Sequence, residues 1–247
     1  MQDNFMVKGL LLAAAMLASM AAPPARADEP ATAGPVVVEL FTSQGCSSCP
    51  PADAYLGKLA AQPGILALGY HIDYWNYIGW TDPYSLPLAA QRQRAYGQRL
   101  GLHYVYTPQM VVDGVGEGVG SQPDKIAPLI HAARQRPRVG PAVSVEKRDG
   151  AYRIHVGAGH AVADATVWLV GIDRVHDTTV LHGENEGSVA HDYQVVRSLI
   201  SVGIWNGKAL DVDVPSANAT GDEAAVLIQT GGDGAILSAA TTAGPSS

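Results

Sequence analysis

Apolar and polar positions follow different rhythms in the two halves of the chain. In the first half, short apolar runs alternate with longer amphipathic stretches. Gly34 to Thr42 (GPVVVELFT) is β-branched and opened by Gly-Pro, which predicts a buried strand. Pro51 to Ala61 predicts a helix with Leu56, Leu59 and Ala60 on one face, stopped by Gln62-Pro63-Gly64. Ile65 to Ile72 predicts a second buried strand, and Ser85 to Leu100 a polar helix capped by Gly101. Tyr104 to Asp113 predicts a turn and then a strand, and Asp124 to Arg136 a last helix. The Gly-rich stretch GVGEGVGSQ between them reads as a flexible turn, since it lacks the signature of a phosphate loop.

The second half alternates apolar and polar residues with a period of two. Ala142 to Lys147 and Tyr152 to Gly157 are joined through Asp149-Gly150, a hairpin signal. Thr166 to Asp173 is a third such run, and Ala224 to Gln229 pairs with Ala235 to Ala240 around Gly231 to Gly234. The expected organisation is an α/β layer unit over residues 34–138. After Arg136-Pro137-Arg138-Val139-Gly140-Pro141 it is followed by a small all-β, sandwich-like domain over residues 139–241.

Ahead of both lies an apolar run, Gly9 to Ala22, preceded by Lys8 and followed by Pro23-Pro24-Ala25-Arg26-Ala27. It is shorter than the roughly 20 residues that span a bilayer, and Ala25 and Ala27 fit a small-x-small cleavage site. Residues 1–27 are therefore expected to be a secretory signal peptide, with no stable membrane span once it is removed. The expected location is periplasmic or secreted, in a bacterium, where disulfides persist.

Lys and Arg number 16 against 23 Asp and Glu, a formal net charge of −7, and no basic cluster interrupts the acidic balance. A nucleic-acid partner is not expected from such a chain. Hydrophobic residues make up 47%, enough to bury a core. The only cysteines are Cys46 and Cys49, which excludes a disulfide scaffold and an all-Cys zinc site.

Cys46-Ser47-Ser48-Cys49 lies between a predicted strand and a predicted helix start. At helical spacing the two β-carbons are about 5–6 Å apart, close enough for a disulfide with little backbone movement. Cys46 falls near a helix N-terminus, where free N–H groups favour a thiolate. Cys49, one turn on, is the expected resolving thiol. A disulfide closing so short a loop restrains the unfolded chain little, so a purely stabilising role is weak. Glu39 sits inside the apolar strand; buried there with a raised pKa it could exchange a proton with Cys49, and on an edge it would simply be exposed. Thr107-Pro108 opens an apolar strand, a place where a cis peptide or an ordinary trans strand opener both occur. It would leave the main chain of Thr107, next to Gln109, available to a partner.

The strings VELFTSQGCSSCPPAD, DYWNYIGWTDPYS, RQRAY, VYTPQMVVDG and GENEGSVAHDYQVVRSLISVGIWNG resemble a family of secreted bacterial thioredoxin-like proteins catalogued as a domain of unknown function. The resemblance covers nearly all of the chain after the leader. It implies an α/β thioredoxin-like domain followed by the small all-β domain, with Cys46 attacking, Cys49 resolving, Pro108 in the cis form and Glu39 as the buried acid. Glu39 is one residue further from the first cysteine than in related oxidoreductases.

Cys49 and Pro108 are 59 residues apart, whereas the intervening elements at average length need about 45. The surplus matches Asp73 to Pro83, whose Trp75 and Trp80, with Tyr77, either shape substrate access or glue the insertion to the core. The leading functional expectation is an exported thiol–disulfide oxidoreductase acting on protein or small-molecule thiols, with a redox partner and no bound cofactor. Two alternatives stand beside it: a copper carrier or assembly factor using Cys46, Cys49 and His71, and a non-catalytic interaction protein with an inert Cys pair. His155, His160, His176, His182 and His191 match no compact zinc pattern, and Glu184, Asn185, Glu186 and Asp192 lack the order of a calcium loop.

Overall fold

The structure, a computed structural model, describes residues 34–243. The expected signal peptide lies outside them. The described residues form one compact unit.

Among the described residues, three α-helices and eight of the eleven strands account for the main body. β1 (Val36–Thr42), β2 (Ile65–His71), β3 (Gln109–Val112) and β4 (Gly116–Val119) come from the first half, with α1 (Pro50–Ala60), α2 (Pro87–Arg99) and α3 (Pro123–Gln135) between and after them. β7 (Ala165–Thr179), β8 (Val189–Trp205), β10 (Glu223–Thr230) and β11 (Ile236–Thr241) come from the second half. All eight strands join in one mixed sheet, ordered β11-β10-β7-β8-β2-β1-β3-β4. The remaining strands, β5 (Val143–Arg148), β6 (Ala151–Val156) and β9 (Leu210–Pro215), form a separate three-stranded sheet.

The expected fold class is corrected here. The described residues are mostly β, 41% strand against 20% helix, with a large eight-stranded mixed sheet and few helices. It is not an α/β thioredoxin-like domain followed by a small β domain. The reason is the junction of β2 with β8. The two strands meet in parallel at Gly69 and Val195. A Cβ on Gly69 would lie 2.8 Å from the Tyr193 carbonyl oxygen, so only glycine admits β8 at that distance. Period-two alternation in the second half reports a half-buried sheet but not which strands it pairs with. The Gly-rich stretch also departs from expectation: Gly116–Val119 is strand β4, antiparallel to β3.

Strand β1 is buried along its whole length, and its two faces serve different cores. Val36, Val38 and Leu40 pack with Ala52, Leu56 and Leu59 of α1 and Ile126 and Ile130 of α3. Val37 and Phe41 pack on the opposite face with Ala89, Ala90 and Tyr96 of α2, and that core continues into Val170, Val196 and Leu227. A third core lies between the three-stranded sheet and β7 and β10, centred on Trp205 and Tyr152. No described helix is long and apolar enough to cross a membrane.

Candidate functional site around Cys46 and Cys49

β1 ends at Thr42, and the chain turns at once toward α1. The Cys46 N–H donates to the Ser43 carbonyl (3.1 Å) and the Cys49 N–H to the Cys46 carbonyl (3.1 Å). Cys49 is the N-cap of α1, and Pro50 and Pro51 fill the first helical positions, where a missing N–H costs nothing. The cysteines thus occupy the turn before the helix rather than its first turn. They are joined in a disulfide with Cα atoms 5.4 Å apart. Cys46 is 1% exposed and Cys49 fully buried, while Ser47 and Ser48 between them are exposed. Cys46 Sγ lies 3.4 Å from the Ser48 hydroxyl, which in turn reaches the Thr107 carbonyl at 3.5 Å.

Beside this turn is a buried polar cluster drawn from four segments. His71, the last residue of β2, is bound through Nδ1 to Asp82 Oδ2 at 2.8 Å, and its Nε2 lies 3.8 Å from Asp192 Oδ1 of β8. Gln44 ties the cluster to the cysteine turn: its N–H donates to Asp82 (2.9 Å) and its side-chain amide to Asp192 (2.6 Å). Asp53 of α1 accepts a hydrogen bond from the Thr42 hydroxyl at 2.7 Å. Burial pulls the His71 pKa down, but Asp82 outweighs it, with help from Asp192 and Asp53, and raises it to about 9. Burial pushes Asp82 up, but the adjacent His71 and the N–H donors of Gln44 and Tyr84 bring it below the ordinary carboxylate value. Asp192 is raised by burial, with His71 and Gln44 pulling the other way. Asp53 is raised furthest, to about 7, by desolvation that His71 and Thr42 only partly offset.

A pocket of about 210 Å³ opens onto this cluster; Asp53, Asp192, Ser43, Gln44, His191 and Tyr193 are among its lining residues. Its far wall is the β7–β8 hairpin. The tip of that hairpin reaches over the cysteine turn: the Asn185 side-chain amide donates to the Gln44 carbonyl (2.9 Å) and the Cys46 carbonyl (3.0 Å). Glu184 accepts from the Ser47 N–H at 3.2 Å. A carboxylate therefore occupies an amide that would otherwise favour a thiolate at the helix start.

The residues expected from sequence fare differently. Cys46, Cys49 and Thr107 are brought together, and the Thr107–Pro108 peptide is cis. Trp75 and Trp80 of the aromatic insertion both turn inward: the Trp75 indole N–H donates to Thr107 Oγ1 (2.8 Å) and that of Trp80 to Gln44 Oε1 (3.0 Å). Tyr77 of the same segment is 81% exposed. Gln109 is buried and spends its amide on Gln93 and Glu117. Glu39 lies on the α2 face of β1, away from α1, and is held there by Arg92 Nε at 2.7 Å and the Tyr96 hydroxyl at 2.5 Å. The structure does not bring it to the sulfurs. His71 is committed to Asp82, and among the described residues no group of three or more His, Cys, Asp or Glu is arranged to hold a metal ion.

Sequence reasoning missed Asp53, Asp82 and the role of the hairpin tip. For Asp53 a signal existed: it is four residues after Cys49, one helical turn, with its N–H bonded to the Cys49 carbonyl at 3.1 Å. Asp82 carries no comparable signal, because its partner is remote in sequence and set by the path of the insertion.

The chain matches, over residues 37–229, the family described as "Protein of unknown function (DUF1223)". It is 33% identical to a protein of Agrobacterium tumefaciens solved by X-ray crystallography, covering 85% of this chain and 94% of that one with a TM-score of 0.73. A second solved structure, HBP35 of Porphyromonas gingivalis, is similar in fold: TM-score 0.58 at 12% identity, over 85% of this chain and 74% of that one. No curated protein matches the chain. The chain belongs to the DUF1223 family.

Proposed function

We propose that this DUF1223 member is an exported thiol–disulfide oxidoreductase that works through Cys46 and Cys49. One observation carries the reading: the disulfide closes a four-residue turn at the start of α1, beside Thr107 on one side and a proton-holding cluster on the other. So short a loop offers little entropic stabilisation, so exchange chemistry is the better use of the two sulfurs. A substrate disulfide is attacked by the Cys46 thiolate, a mixed disulfide forms, and Cys49 resolves it; a dithiol partner then reduces the pair again.

The surroundings argue for the reducing direction. Glu184 occupies the Ser47 N–H, and Asp53 and Asp192 lie nearby. Negative neighbours disfavour a thiolate and so favour the closed disulfide, which lowers the potential. Because Cys46 is 1% exposed, exchange also requires the cover over the turn, including the Asn185 clamp, to move.

Equilibration of the pair in glutathione and dithiothreitol buffers tests the reading. A potential close to about −270 mV, as in reducing dithiol proteins, is expected, rather than about −120 mV. A pair that never equilibrates, or Cys46→Ser and Cys49→Ser variants that form no mixed disulfide with any disulfide substrate, would overturn it in favour of an inert structural pair.

A further inference from the structure

We propose that Asp53 is the proton acceptor for Cys49 when the mixed disulfide is resolved, and that the pocket beside it is the route by which the proton reaches water. The inference rests on the exchange reading above and goes beyond it by naming the base.

Cys49 is fully buried, so its thiol cannot pass a proton directly to solvent. A neighbouring group must accept it. Glu39 is on the other face of β1 and saturated by Arg92 and Tyr96. Asp53 is one helical turn from Cys49, bonded to it through the main chain, and helical neighbours at that spacing have β-carbons about 5–6 Å apart. The Thr42 hydroxyl donates to the carboxylate at 2.7 Å and holds it in place. Asp53 is half-buried and lines the pocket, so it faces both the interior and water. Desolvation holds it up to about 7, where it can both take and return a proton near neutrality.

Several groups set its charge state. His71 of β2 faces it with positive charge; Asp82 of the insertion and Asp192 of β8 oppose it with negative charge. His191 and Tyr193 of β8 line the same pocket.

The step balances as follows. The Cys46 thiolate attacks a substrate disulfide, forms the Cys46–substrate bond and expels one substrate thiolate. The Cys49 thiol gives its proton to the Asp53 carboxylate, and the Cys49 thiolate attacks the Cys46 sulfur. The second substrate thiolate leaves, so the substrate gains two electrons and the pair loses two. Asp53 then returns its proton through the pocket to water.

The full chain, reduced and freed of reductant, can be mixed with 5,5′-dithiobis(2-nitrobenzoate) in a stopped-flow instrument. The first released thiolate reports attack by Cys46 and the second reports resolution by Cys49. In the wild type the second phase should accelerate through an inflection near pH 7. In Asp53→Asn it should slow on the order of 100-fold at pH 7 and lose that inflection, with the first phase nearly unchanged. Asp53→Glu should restore part of both. Asp53→Asn should also be as stable as the wild type or more so at pH 8, which separates catalysis from folding. A second phase in Asp53→Asn with the wild-type rate and inflection overturns this inference alone. A wild type with no second phase overturns the exchange reading, and this inference with it.

Discussion

Two buried ionic clusters tie the halves of this protein together, and they are built to opposite ends. On the α2 face of the sheet, Arg92 donates to Glu39, Tyr96 and Gln229. Tyr96 donates to Glu39 in turn, so every strong acceptor is matched by a donor. On the α1 face, His71 serves Asp82 directly and Asp192 at longer range, and Asp53 is left with a neutral hydroxyl and a pocket. The first cluster has a guanidinium that stays charged at any accessible pH. The second has groups that titrate between about 7 and about 9. A fully paired cluster locks geometry; a cluster with one carboxylate too many holds protons that can move.

The largest effect should come from breaking the locked cluster. Arg92→Met leaves Glu39 buried without its counter-charge, and a loss of about 3–5 kcal/mol in urea unfolding is expected. The comparison fails if this variant is as stable as the wild type. It is sharpened if the wild-type and variant curves stay parallel between pH 6 and 9.

A smaller effect, visible only as a pH slope, is expected from the other cluster. His71 keeps its proton in the folded chain up to about pH 9, against 6.5 for the free side chain. The folded state therefore binds more protons than the unfolded state across that window. The stabilisation from His71 is complete below about 6.5 and is lost as pH rises through 9. A decline on the order of 3 kcal/mol follows from a shift of this size. Asp53 acts in the same direction lower down: it holds a proton up to about 7 against 3.8, so stability also falls as pH rises between those values. Denaturant titrations at several pH values should show His71→Gln flattening the upper window and Asp53→Asn the lower. A wild type whose stability rises across both windows contradicts the assignment.

The smallest effect concerns the hairpin tip. Asn185→Ala removes two hydrogen bonds to the cysteine turn, which should cost about 1–2 kcal/mol. Its kinetic consequence should be clearer than its thermodynamic one: dithiothreitol should reduce the Cys46–Cys49 bond several-fold faster. An unchanged reduction rate would mean that the hairpin does not guard the sulfurs.

Much of the local structure was legible in the chain. The apolar run after Gly34 gave β1, the Leu56 and Leu59 pattern gave α1, and Asp149-Gly150 sits at the β5–β6 turn. The Cys pair and the Thr107-Pro108 loop could be named as neighbours from the sequence and its family resemblance. Which acid lies beside the cysteine turn was not legible. A carboxylate in an apolar strand, such as Glu39, is conspicuous in sequence, yet that says nothing about which face of the strand it occupies or what waits there. Strand β8 is not legible in the sequence because Val189 to Trp205 mixes polar and apolar residues; it is stabilised by pairing with β7 rather than by its own pattern.

The sequence by itself determined the elements, the two sulfurs and their spacing, because those depend on short-range propensity and on three or four consecutive residues. The tertiary structure alone decided that both halves share one sheet, that Arg92 and Tyr96 hold Glu39, and that Asp53, His71, Asp82 and Asp192 gather beside the cysteine turn. These outcomes depend on contacts between residues tens to more than a hundred positions apart. They are set by which strand lies next to which, and by a glycine at position 69 that lets β8 come close.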